Sequence, residues 1–185
     1  KFESWDAYFI VFRRDGKSIV SSYTKPTASE TILTQISTPW KVSFNDKNVM
    51  FDKLTSWTEN KDADVKYFSG TATYENTFKV VTVDKSEKYV VDLGDVKNIA
   101  EVIVNGKNVG TVWKKPFKLD ITEAVKAGEN SIQIKVTNLW PNRIIGDAQP
   151  DVKQKNTFTT MPFYRADSPL LASGLIGEVK VNVLK

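Results

Sequence analysis

The chain has 185 residues, 41% hydrophobic and 26% charged, which is enough apolar material for one sizeable core. It contains neither cysteine nor histidine, which excludes disulfides, Cys- or His-ligated zinc, and Ser-His-Asp or Cys-His catalysis. The formal charge of +4 rests on four arginines and scattered lysines with no dense basic run, so nucleic acid is not an expected partner.

Residues Lys1 to Asp6 lack the features of a signal peptide, and the chain reads as a fragment of something longer. No apolar run approaches the roughly 20 residues that span a bilayer, so no membrane span is expected. The first predicted strand covers about Tyr8 to Phe12, with a turn at Arg14-Asp15-Gly16-Lys17 leading to a second strand around Ser18 to Ser22. Ser29 to Ile36 is expected to form a turn or two of helix. Period-two alternation then dominates and puts apolar side chains on one face of each strand. It places Trp40, Val42 and Phe44 together, then Phe68, Gly70, Ala72 and Tyr74, then Tyr89, Val91 and Leu93. Ala100, Val102 and Val104 share one face, with Ile99, Glu101 and Ile103 on the other. Asn105-Gly106 is the strongest turn signal. Both residues tolerate positive φ, which favours a type I′ hairpin joining Ile99–Val104 to Val109–Val112.

Gly110, Trp113, Pro116 and Phe117 are expected to bend the chain between sheets and cap the core with a ring. Thr122 is placed to cap a short helix through Glu123, Ala124 and Val125, stopped by Gly128. Ile132, Ile134 and Val136 define another strand face, and Val179, Val181 and Val183 the last. Between Asn138 and Glu178 the periodicity is weak. That stretch mixes rings with polar groups and reads as an ordered loop over one end or face of the domain. Many strands and little helix predict an all-β sandwich of two packed antiparallel sheets.

The run DLGDVKNIAEVIVNGKNVGTVWKKPFKLDITEAVKAGENSIQIKVTNLWPNRIIGD, residues 92–147, resembles the galactose-binding-like jelly roll of glycoside hydrolases. Its first part is similar to the sugar-binding domain of glycoside hydrolase family 2. The later NLWPNRIIGD, with DSPLLASGLIGEV at 167–179, resembles the C-terminal sandwich of family 106 α-L-rhamnosidases and their relatives. Relatives often carry tryptophan near the positions of Phe158 and Met161, and proline where Ala172 stands. The resemblance covers roughly residues 40 to 185. It implies a jelly-roll β-sandwich over 31–185, preceded by a leading segment at 1–30 that is the tail of a preceding domain or an added edge strand.

It also implies a non-catalytic accessory domain of a secreted bacterial glycoside hydrolase, located outside the cell, in the periplasm or at the cell surface. The implied partners are carbohydrate, as plant or host polysaccharide glycans, and a catalytic (β/α)₈ barrel of the same polypeptide that this chain is too short to contain. Two alternatives stand beside it: a purely structural interdomain module without ligand, and a free-standing cell-surface glycan-binding domain.

Sugars present apolar C–H faces and a ring of hydroxyls, so a binding site needs an aromatic plane beside Asn, Asp and Arg side chains. Trp140, Asn142, Arg143, Asp147 and Tyr164 offer that mix, and Trp113 is a further candidate platform. The same loop residues have two other readings: Arg143 and Asp147 as an ion pair bracing the loop, or the loop as a docking surface for a neighbouring domain. Glycosidases need two carboxyls facing each other across the scissile bond. Glu75, Glu101 and Glu178 read instead as solvated strand residues, and no catalytic residue is expected. No cofactor is expected apart from a structural calcium, for which Asp62, Asp64 and Asp84 are available.

Overall fold

The computed structural model describes Phe12 and residues 29–37, 39–161 and 163–185. The expected strands at 8–12 and 18–22, with the turn between them, lie outside the described residues apart from Phe12. From Glu30 onward twelve strands follow in chain order: β1 Glu30–Ile36, β2 Trp40–Phe44, β3 Lys47–Phe51, β4 Thr71–Val80, β5 Lys88–Asp92, β6 Asp95–Lys97, β7 Ile99–Val104, β8 Lys107–Val112, β9 Lys118–Asp120, β10 Gly128–Thr137, β11 Gly174–Ile176 and β12 Val179–Leu184. Two short α-helices interrupt them, α1 at Ala63–Lys66 and α2 at Pro141–Asp147, with one turn of 3-10 helix at Trp57–Glu59.

The strands pair antiparallel in a six-stranded sheet, β3-β2-β4-β10-β7-β8, and a four-stranded sheet, β1-β12-β5-β9, with β11 and β6 as a small third pair. This is the predicted all-β architecture of packed antiparallel sheets. Register fixes the faces: Ile134 lies between Tyr74 and Val102, and Val136 between Ala72 and Ala100, all buried. Lys135, one residue away, lies between Thr73 and Glu101 on the opposite face, so Ile132, Ile134 and Val136 enter the core together. Val91 and Val181 complete that core from the second sheet, and each such side chain contributes about 1.5–3 kcal/mol relative to exposure. Trp57, Phe44 and Phe68 pack edge-to-face at one end, with ring centroids 5.1 to 5.6 Å apart.

Two sequence expectations are corrected. Ser29–Ile36 is not helical, because Glu30–Ile36 is the edge strand β1, paired with β12 through a bulge between Ile32 and Thr34. β-branched Thr31, Ile32, Thr34 and Ile36 suit that pairing. Thr122 caps no helix either. Its hydroxyl accepts the Tyr89 amide at 2.9 Å, and the chain makes a single turn in which the amides of Ala124 and Val125 donate to the Ile121 carbonyl. By contrast, Phe117 is buried where the chain passes from β8 in one sheet to β9 in the other, as expected of that bend.

The Asn105-Gly106 hairpin forms with φ of 50° and 79°, as a type I′ turn requires. A Cβ on Gly106 meets nothing within 4 Å, so Gly106→Ala is expected to cost only the backbone penalty, about 1 kcal/mol. Urea unfolding measures it, and a loss several times larger would mean that the turn has neighbours this geometry lacks.

Candidate functional site

The stretch between β10 and β11 is anchored by α2. Pro141 stands at its start, where the missing amide hydrogen costs nothing. Arg143 and Asp147, one turn apart, pair at 2.9 Å, as the bracing reading required. Seven residues do not hold a helix in water unaided, and α2 is fixed by its polar contacts. The Asn142 amide donates to the Leu171 carbonyl at 2.7 Å and to the Ser173 hydroxyl at 2.9 Å, and its oxygen accepts the Leu171 amide. Asn138 joins the same network through the Phe68 carbonyl and Ser173.

Asp147 then organises the following loop. Its Oδ2 accepts the Asn156 amide at 2.9 Å and both the amide and the hydroxyl of Thr157 at 2.7 Å. Burial pushes this carboxyl up, but the Thr157 donors, the Arg143 guanidinium and the Asn156 amide outweigh it and hold the pKa below the ordinary aspartate range.

A cleft of about 530 Å³ opens beside α2. Trp140 lines it from the N-cap of the helix, Arg143 from the helix and Asn156 from the pinned loop, while Asn45 and Asp46 come from the β2–β3 turn and Lys47 from the start of β3. Buried Phe44 and Phe68 also line it. The Trp140 ring is 61% exposed, so an aromatic plane stands beside amide, carboxylate and guanidinium groups. That combination is able to stack a C–H face and hydrogen-bond hydroxyls.

Of the six sequence candidates, the structure brings only Trp140 and Arg143 to this cleft. Asn142 and Asp147 are buried and committed to bracing. Tyr164 is half-buried and lines a smaller concavity of about 250 Å³ with Asp147 and Phe158. Trp113 stands apart, 68% exposed just beyond β8, the edge strand of the six-stranded sheet. Sequence reasoning missed Asn45, Asp46, Lys47 and Asn156, and offered Asp64, which also lines the cleft, only as a calcium ligand. An Asn-Asp pair between two alternating runs was the available signal for the β2–β3 turn.

The carboxyls that the sequence singled out are tied to cations or local donors. Glu75 pairs with Lys41, Glu101 with Lys135 and Glu178 with Lys180. Lys47 sits between Asp62 and Asp64, held charged above the usual lysine value chiefly by its hydrogen bond to Asp62. Asp62 also caps α1, and Asp84 accepts from Ser86. Among the described residues no three acidic groups converge, so Asp62, Asp64 and Asp84 do not fit a calcium ion as one set.

Residues 30–166 match the family described as glycosyl hydrolase 2 galactose-binding domain-like. The chain belongs to that family. A putative beta-glucuronidase of Formosa agariphila is 43% identical to it over 175 residues, covering 78% of this chain and 15% of the relative. The solved rhamnosidase from Novosphingobium sp. superposes with a TM-score of 0.80 at 40% identity, over 84% of this chain and 15% of that one. A beta-D-glucuronidase from Dictyoglomus thermophilum, at 19% identity and a TM-score of 0.60, covers 87% of this chain and 29% of its own and shares the fold. The chain thus spans about 15% of the length of the first two relatives.

Proposed function

We propose that this chain is a non-catalytic accessory module of a longer, secreted bacterial glycoside hydrolase of the α-L-rhamnosidase type. In this reading it is a C-terminal sandwich of the family 106 kind that contacts carbohydrate and supports the catalytic domain. The 40% identity to a rhamnosidase of which the matched part is only 15% supports the membership. The carbohydrate role rests on one observation, the exposed Trp140 ring at the rim of a cleft lined by Arg143, Asn156, Asn45 and Asp46.

Trp140→Ala is expected to weaken glycan binding about tenfold or more while leaving the melting temperature unchanged, because the ring buries little of itself in the fold. A glycan array followed by calorimetric titration measures both quantities. Absence of any signal at millimolar sugar removes the binding role and leaves a structural interdomain module, which the commitment of Asn142 and Asp147 to bracing favours. Hydrolysis of an aryl glycoside by this chain alone overturns the non-catalytic reading. A reading frame without a hydrolase domain makes it a free-standing surface binder.

A further inference from the structure

Phe158, Met161 and Phe163 are 91%, 59% and 77% exposed. Among the described residues no other six-residue stretch exposes three large apolar side chains. Single exposed rings are ordinary on protein surfaces, but a cluster marks an interaction site. Lys155 and Arg165, which flank these three side chains in sequence, are exposed and charged, the composition of an interface rim.

The cluster is also held in place. Asp147 grips the amides of Asn156 and Thr157 immediately before Phe158, and the Gln149 side chain donates to the Ala166 carbonyl immediately after Arg165. The residues on either side of these three side chains are thus fastened to α2 or to the residues just after it. Anchoring on both sides reduces the freedom lost on association.

We infer that Phe158, Met161 and Phe163 form the docking surface through which this module seats on another domain of its own polypeptide. This rests on the accessory-module reading above, and the occupant follows from length. Relatives at 43% and 40% identity are more than six times as long as the part this chain matches, so a large body of the same polypeptide is available to cover these side chains.

The full-length polypeptide tests it, and the absence of cysteine from these 185 residues makes introduced thiols site-specific within the module. Thr160→Cys places a thiol between Phe158 and Met161, at the docking surface. Val81→Cys places a reference thiol on an exposed residue just past the opposite end of β4. Thiol alkylation is read peptide by peptide by mass spectrometry, native rates being divided by rates in urea. The docking-surface thiol is expected to react about tenfold or more slowly than the reference thiol, and Phe158→Ser in the Thr160→Cys background is expected to restore its rate.

Equal rates at the two thiols overturn the inference. Protection of the reference thiol alone moves the docking face to the opposite end, overturning the inference while the accessory-module reading stands. Protection of the docking-surface thiol that fades on dilution makes a second copy the occupant and overturns it as well. A reading frame that encodes no further domain overturns both.

Discussion

Asp147→Ala is expected to lower stability by about 3 kcal/mol and to make residues 155–160 susceptible to limited proteolysis. The carboxylate is buried, pairs with Arg143, and accepts two backbone amides and one hydroxyl through a single oxygen. Its removal leaves the largely buried Arg143 guanidinium without its partner. The value lies at the low end for a broken buried pair because Asn156 and Thr157 retain access to water on their outer side.

Asp147→Asn keeps the shape and loses the charge, so it is expected to fall between the two. The folded pKa lies below the ordinary aspartate value of 3.8, so the contribution is complete above that value and is lost as pH falls through the folded one. Urea stabilities of wild type and Asp147→Asn should therefore differ by a constant amount from pH 8 to about pH 5 and converge in acid below about pH 4. Parallel curves down to pH 2 would show that charge at this carboxylate plays no part. The clamp serves both proposed surfaces, since it sets Asn156 at the rim of the cleft and Phe158 at the docking surface.

The strands that the sequence displays are those with one wet and one dry face. Ile132, Ile134 and Val136 alternate with Ser131, Gln133 and Lys135 because β10 lies between β4 and β7 with its other side in water. Most of β1 is exposed, so its residues carry no alternation, and its pairing depends on β12 at the far end of the chain. Helix α2 is hidden for a related reason: seven residues are too few for a period to declare itself. Residue types at the site were informative, but their roles were not. Asn142 and Arg143 are adjacent and equally suited to a sugar. What assigns Asn142 to bracing is Leu171 and Ser173, brought back by the return of the chain toward β11. Likewise Asn45 and Asp46 reach Trp140 only through the folded sheet.

Gly174→Ala is expected to cost about 4 kcal/mol, a large part of the margin of a domain this size. Gly174 opens β11 at φ +100°, where an L side chain is strained by about 1–3 kcal/mol. Its Cβ would also strike the Trp57 indole nitrogen and come within 2.7 Å of the Tyr74 hydroxyl. Neither ring has room to give. Both are fully buried, the indole donates to the phenol at 2.5 Å, and the phenol accepts the Leu175 amide at 3.1 Å. Burial, only partly offset by those two donors, pushes the Tyr74 pKa up to about 12, so the phenol stays neutral throughout the working range. Overpacking of such a site adds a further 1–3 kcal/mol or so.

A double-mutant cycle with Tyr74→Phe separates the clash from the backbone term. Removing the hydroxyl relieves one of the close approaches, so the two substitutions together should cost less than the sum of their separate costs. The cycle is read by urea unfolding, with near-ultraviolet circular dichroism to follow the aromatic packing. If Gly174→Ala costs no more than Gly106→Ala, the Trp57–Tyr74 pair is movable. It would then not be the fixed wall against which the chain turns into β11.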